Sequence, residues 1–434
     1  MSDLGKAISF ASGLYRQRVG TLYAGYVGRD PLALLRLRPG RTDPYTIYER
    51  MRADGPLAPT RLGNWVTTSH RVSNAVLRDR RLGTQPPYDG GTAPDDTMDL
   101  SLLGMNPPDH TRLRRLVQPV FSPKEMAAYQ GRIESTVGDL LDQAAAAGAA
   151  AGEFDLVSAF AAPLPIAVIT NLLGIPDADA ARFSQYGVVI GSALDGIKSL
   201  RHAAALQTAD AELARLFESL FELRRHSPED DIVSRLVAAE GDRIEPAEML
   251  PLCSLLLVAG FETTVNLIGN AVLALLNHPE QWELLCADPA GLAAKAVEEA
   301  LRYDPPVQLT SRTALEPIEL EGKPVTKGQL VVTLLGAANR DPEVYDRPDT
   351  FDIQREPGID HLAFSSGIHY CVGQPLARLE ATIALRMLAE RMPDLTRAGA
   401  IKRRNTTTIR GPIHVPVKTK ATSAARATAA PARA

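Results

Sequence analysis

The chain has 434 residues, 45% of them hydrophobic and 23% charged, the balance of a globular protein able to bury a large core without staples. Lys and Arg number 47 against 51 Asp and Glu, a net charge of −4, which excludes a globally basic nucleic-acid binder. Three cysteines with no close pair, Cys253, Cys286 and Cys371, exclude a disulfide framework and a four-cysteine zinc site and fit a reducing compartment.

In chain order, residues 1–41 read as an N-terminal extension. Its uncharged stretches, Ala7 to Tyr15 and Val19 to Gly28, are too short to cross a bilayer and lack a signal peptide's apolar core. A helix is predicted around Pro44–Arg52 and a short strand at Trp65–Thr68. Arg80–Met105, rich in Gly, Pro and Asp, reads as a long loop. From Thr111 to about Leu301 the pattern is helical, broken at Pro163, Pro176 and Glu240-Gly241-Asp242. Within it, the 31 residues Met249–Pro279 carry one charge, Glu262. Pro251, Asn266, Asn270, Asn277 and that central carboxylate are costly in lipid, so a central helix buried all round is expected instead of a membrane span. Leu309–Val332 alternates like strands about a turn at Glu321-Gly322-Lys323. Asp341–Ile359 is irregular, and Gln374–Arg391 is helical again. Residues 418–434 form a basic, Ala-rich tail expected to be disordered. The expected fold is mainly α with minor β-sheets, as a single domain over 42–417.

Chemistry concentrates in His361–Arg378. Cys371 stands just before a helix whose start is marked by Pro375, where free backbone N–H groups and the positive helix end favour thiolate over thiol. Gly367 and Gly373 let the backbone pass close to something flat. One cysteine with no other soft ligand nearby suits a metal needing a single protein ligand, and haem iron is such a metal; composition alone would fit a buried structural cysteine. Three further patterns stand out. Glu299 and Arg302 lie at i and i+3 on one helix face. His110 and Arg114 lie at i and i+4. Ala259-Gly260-Phe261-Glu262-Thr263-Thr264 interrupts the long apolar helix, where Thr can bond a carbonyl one turn back and a helix-packing notch would look the same.

The cysteine segment resembles the haem-ligand loop of the cytochrome P-450 family, Phe-x-x-Gly-x-(His or Arg)-x-Cys-x-Gly. Phe364, Gly367, His369, Cys371 and Gly373 fill every specified position, and Ser365 stands where many bacterial members have Gly. The other patterns follow in family order from about residue 42 to 417. On this resemblance Cys371 is the iron ligand. Glu299 and Arg302 are a buried ion pair locking the core beside the loop. Thr350 stands where the family usually places a third, basic member, leaving Arg340, Arg347 and Arg355 as candidates. Ala259, Gly260, Glu262 and Thr263 resemble the oxygen-activation motif, with Thr263 the alcohol and Glu262 the acid. Pro107-Pro108, His110 and Arg114 resemble the propionate-binding helix, with Arg312, His361 and His369 as further donors.

The resemblance implies a cytochrome P-450 fold with haem b (iron protoporphyrin IX) between the central helix and the cysteine loop. It implies a haem-thiolate monooxygenase of the bacterial, cytoplasmic type that inserts one oxygen atom from O2 into a small apolar organic substrate. Electrons would come from a separate ferredoxin and its NAD(P)H-dependent reductase. The chain is expected to be a monomer with no membrane anchor and no nucleic-acid partner. The alternatives are a non-catalytic haem-thiolate sensor or sequestration protein and a peroxide-driven peroxygenase. The Glu262–Thr263 pair, which neither requires, argues against both. By the same analogy Arg80–Met105, Tyr186–Ile197, Leu256–Ala259, Val307–Thr310 and the loop at Thr408–Ile409 wall the substrate pocket.

Overall fold

The computed structural model describes residues 12–420 apart from 14, 17, 62, 85–100, 177–178, 198 and 357. Most of the expected Arg80–Met105 loop, residues 1–11 and the tail from 421 onward lie outside the described residues.

Long helices form where the apolar periodicity runs unbroken and caps close its ends. Pro123–Ala151 starts with Ser122 accepting the Glu125 N–H and ends at Gly152 in the left-handed region. The central helix, Pro246–Asn277, opens with Pro246 in its first turn and a reciprocal capping box between Glu245 and Glu248. By length and composition it could cross a membrane, yet 72% of its most apolar window is buried by the protein's own elements. Its polar residues are satisfied internally: Asn266 Nδ2 donates to Glu262 O at 2.7 Å, and Asn270 Nδ2 to Asp304 O at 3.0 Å. Around it pack Pro163–Leu173, Ala180–Ala193, Pro289–Tyr303 and Gln374–Arg391. The fold is thus mainly α with small sheets, as expected from the sequence.

The largest sheet has five strands in the order Ala58–Pro59, Trp65–Thr67, Leu330–Thr333, Thr310–Ala314 and Leu82–Gly83. Trp65–Thr67 pairs in parallel with Leu330–Thr333, whose other neighbour, Thr310–Ala314, is antiparallel and sets Arg312 opposite Val331. The turn at Glu321-Gly322 closes a separate hairpin, Ile318–Leu320 with Lys323–Val325. Leu32 and Leu35 pack in one core cluster with Ile47, Tyr48, Met51 and Val332, so the chain joins the body ahead of residue 42.

Candidate active site

The cysteine loop is shaped by its backbone. Gly367 has φ +69°, and a Cβ there would lie 2.4 Å from Leu77 O, so only glycine fits. Ser365 holds φ +64° without being glycine, and its Oγ is buried with no partner. Gly373 has an ordinary φ of −86°, so its missing side chain supplies space rather than conformational freedom. The Cys371 N–H donates to Phe364 O at 3.0 Å, and the helix Gln374–Arg391 follows. Cys371 is exposed as a residue, but the protein packed around its sulfur pushes the thiol pKa up. The Gly373 and Gln374 N–H groups and the Arg114 and Arg378 charges pull the other way without overcoming burial. The helix start therefore acts on the sulfur as the sequence suggested, yet by itself does not make a thiolate.

Cations gather beside this loop. His110 and Arg114 project from helix Asp109–Val117, Arg312 comes from the sheet, and His369 from the turn Gly367–His369. The His110 and His369 rings lie 4.3 Å apart, and His110 Nδ1 and His369 Nε2 are buried without hydrogen-bond partners. Burial, then the charges of Arg312, His110 and Arg114, push His369 down to about 3. Burial pushes Arg312 down to about 10 and also lowers His110 and Arg114. Arg312 bonds only the Ser311 carbonyl and the Thr310 hydroxyl among the described residues. Crowded donors with orphaned nitrogens and no carboxylate among them call for an anion with more than one acceptor group. The two propionates of a haem fit that requirement. No three His, Cys, Asp or Glu side chains gather to hold a metal ion among the described residues, so a metal ligated by Cys371 would have to bring its other ligands, as haem iron does.

His361 does not join this group. Its Nε2 lies 3.1 Å from Glu298 Oε2, and its Nδ1 accepts the Ala363 N–H. Glu298 also binds Arg378 at 2.6 Å, and these partners hold its carboxyl down at about 2 against burial. Arg378 in turn stacks on Phe364, 4.5 Å from the ring centroid. Glu298, which sequence reasoning missed, thus ties helix Pro289–Tyr303 to the cysteine loop.

Glu299 and Arg302 form a buried bidentate pair at 2.7 and 2.8 Å. Arg302 also donates to the Asn339, Pro348 and Thr350 carbonyls. Of the three candidates for the third member, Arg355 reaches Glu299, at 3.2 Å. Arg340 instead lies between the Tyr45 and Tyr303 rings, and Arg347 pairs with Asp346 and Asp352 at the surface.

On the central helix the motif residues divide between two sides. Ala259 is exposed and Thr263 half-buried, and Thr263 Oγ1 donates to Ala259 O at 3.0 Å. Gly260 is a packing notch, since a Cβ there would meet Ile169 Cγ1 at 2.7 Å. Glu262 is buried against Gly187 and Gly191 of Ala180–Ala193, where a side chain at either glycine would strike its carboxylate. Its partner is Arg404, at 2.7 Å. Burial pushes Glu262 up to about 7, with Arg404 opposing. Nothing in local spacing announces Arg404, 142 residues away.

Three of the expected pocket walls, Tyr186–Ile197, Val307–Thr310 and Thr408–Ile409, are contiguous. Val307 bridges Ile409, and the Gln308 N–H donates to Thr408 O at 2.9 Å. Asp195 accepts the Thr407 and Thr408 N–H groups at 2.6 and 2.8 Å. Gly187 packs against Phe261 of the central helix.

This arrangement has known counterparts. The sequence matches the family description "Cytochrome P450" over residues 292–392. It is 39% identical over 398 residues to "Putative cytochrome P450 140" of Mycobacterium tuberculosis (strain ATCC 25618 / H37Rv), covering 87% of this chain and 89% of that one. It is 40% identical over 365 residues to "Cytochrome P450 monooxygenase PikC" of Streptomyces venezuelae, covering 81% and 85%. The crystal structure of P450BioI in complex with hexadec-9Z-enoic acid ligated acyl carrier protein superposes with a TM-score of 0.81 at 36% identity, over 88% of this chain and 100% of that one. Ligand-free Mycobacterium smegmatis CYP164A2 gives 0.80 at 37%, over 90% and 99%. Identity at this level over nearly the whole length of these proteins, joined to a lone cysteine beside a cationic cluster, establishes that the chain belongs to the cytochrome P450 family, whose members carry haem.

Proposed function

We propose that the protein is a haem-thiolate monooxygenase that inserts one atom of O2 into a small apolar organic substrate. The observation that carries this reading is Cys371 at a helix start, beside four basic side chains that lack an anion. In this reading Cys371 Sγ ligates the iron of haem b, and His110, Arg114, Arg312 and His369 hold its propionates. When bound, the haem supplies the oxygen chemistry, with the thiolate donating electron density. The chain's own residues bind, orient and deliver protons. Phe364, stacked by Arg378, and Gly367 would shape the face that receives the cofactor, and Ala259 is exposed on the central helix. His361, engaged by Glu298, acts on the loop rather than on the propionates. Thr263 Oγ1 offers an alcohol on the open side of the central helix. Glu262 Oε, with a pKa near neutrality, can hold and release a proton on the buried side of the same helix once it parts from Arg404.

Electrons come from a separate ferredoxin and NAD(P)H-dependent reductase in this reading. Arg115 is exposed on helix Asp109–Val117 and available to an acidic partner, whereas Arg112 is tied to Glu248 and Asp109. The test is the reduced protein with carbon monoxide. A strongly red-shifted Soret band is expected, lost in Cys371→Ser and kept in Cys253→Ala and Cys286→Ala. NAD(P)H consumption with added ferredoxin and reductase then separates a monooxygenase from a ligand sensor or a peroxide-driven enzyme.

A further inference from the structure

Among the described residues fifteen large apolar side chains are exposed, and six of them fall between 15 and 27: Tyr15 (71%), Val19 (44%), Leu22 (40%), Tyr23 (65%), Tyr26 (56%) and Val27 (67%). Residues 18–22 are helical and run into a π-helical turn, Tyr23–Val27; 12–13 and 15–16 are helical too. At about 100° per residue, Tyr15, Val19 and Leu22 lie within roughly 60° of one another, and Arg16 and Arg18 flank them on either side. Only the end of this segment is anchored to the body. Ala24 and Gly25 are buried, and a Cβ on Gly25 would meet Leu37 Cδ1 at 2.6 Å. The Asp30 N–H donates to Ala24 O at 2.9 Å, and Asp30 Oδ1 then accepts the Ala33 N–H at 2.8 Å to start the next helix. The segment is therefore seated on the body through Ala24 and Gly25 at its end, while its described residues from 12 to 20 are exposed on every side.

Charge is segregated in the same way. Residues 1–41 carry seven Lys or Arg against two Asp, a net +5, and the rest of the chain carries −9. A helical face with tyrosines among its apolar residues, arginines at its margins and an excess of positive charge matches the interface of an anionic bilayer. There apolar side chains enter the acyl boundary, tyrosines sit at headgroup level and arginines reach the phosphates. We propose that the face formed by Tyr15, Val19, Leu22, Tyr23, Tyr26 and Val27 docks this protein peripherally on an anionic lipid surface, without crossing it. An acidic protein would answer the arginines but leave the row of apolar side chains in water. A bilayer answers both.

The full-length, haem-loaded protein is sedimented with phosphatidylglycerol vesicles and, separately, with phosphatidylcholine vesicles. Binding to the anionic vesicles is expected at low salt, weaker binding to the zwitterionic ones, and loss at about 1 M salt, where screening shortens to about 3 Å. Tyr23→Glu with Val27→Glu, and separately Arg16→Glu with Arg18→Glu, should each weaken vesicle binding by about tenfold or more. Both pairs should keep the carbon monoxide spectrum, which shows that the body remains folded. The proposal is overturned if wild type ignores phosphatidylglycerol vesicles, if the variants bind as wild type does, or if analytical ultracentrifugation shows a dimer that Tyr23→Glu with Val27→Glu dissolves.

Discussion

His110 and His369 face each other with ring centroids 4.3 Å apart, and each keeps a buried nitrogen without a hydrogen-bond partner. Two imidazoles with Arg114 and Arg312 around them repel when charged and satisfy nothing when neutral, so this spot is costly until an anion enters. If the anion is a pair of haem propionates, Arg312→Gln and His369→Ala should loosen the cofactor. A hydrogen bond to a charged group contributes about 1.5–3 kcal/mol, so haem loss to an apomyoglobin scavenger should speed up about 10- to 100-fold in each variant. His361→Ala should change this rate far less, because its ring is engaged by Glu298.

The Glu262–Arg404 pair makes a pH-dependent prediction. Burial raises the Glu262 pKa from its ordinary 4.5 to about 7, so the folded state holds a proton that the unfolded chain has released. That contribution to stability is fully present below about 4.5 and is lost as pH rises through about 7. Glu262→Gln cannot ionise, so wild type should lose melting temperature relative to this variant as pH rises from 4.5 to 8. In turnover, product per NAD(P)H should fall above about pH 7 in wild type. Glu262→Gln should give a flat profile with product formation about 100-fold lower. Thr263→Val should divert electrons to peroxide at every pH, and unchanged coupling would remove Thr263 from proton delivery.

Arg355 completes the network that Glu299 and Arg302 begin, so the three residues should fail together. Removing one partner of a buried pair strands a charge at a cost of about 3–5 kcal/mol. Glu299→Ala and Arg302→Ala should yield little haem-loaded protein. Arg355→Gln should lower both melting temperature and haem content. Arg347→Gln, at an exposed position, should stay within about 0.5 kcal/mol of wild type. Equal behaviour of the Arg355 and Arg347 variants would reduce the network to two residues.

Ser365 holds a left-handed backbone, φ +64°, with a buried hydroxyl that bonds nothing. Left-handed geometry costs a non-glycine residue about 1–2 kcal/mol. The extra freedom of glycine in the unfolded chain offsets roughly 0.5–1 of that. Ser365→Gly should therefore raise the melting temperature by about 0.5–1 °C and leave the carbon monoxide spectrum in place. A lower melting temperature would mean that the serine hydroxyl holds the loop.

Local patterns were legible in the sequence because neighbours in the chain are governed by backbone geometry alone. The helix Gln374–Arg391 lies where Pro375 and the apolar spacing put it, and Glu299–Arg302 meet because i and i+3 share a helix face. Burial of the Pro246–Asn277 helix could likewise be argued from the asparagines and the carboxylate within it. Tertiary structure decided which distant groups share a space. It brought Arg404 to Glu262, Glu298 to His361 and Arg378, Arg355 to Glu299, and the parallel partner to Trp65–Thr67. It also turned Gly260 toward Ile169 and Thr263 toward the open side of the same helix. A charge or a strand edge carries no mark of its distant partner in the residues beside it. That partner is selected when whole elements pack, by the requirement that each buried charge and each backbone donor find an opposite within reach.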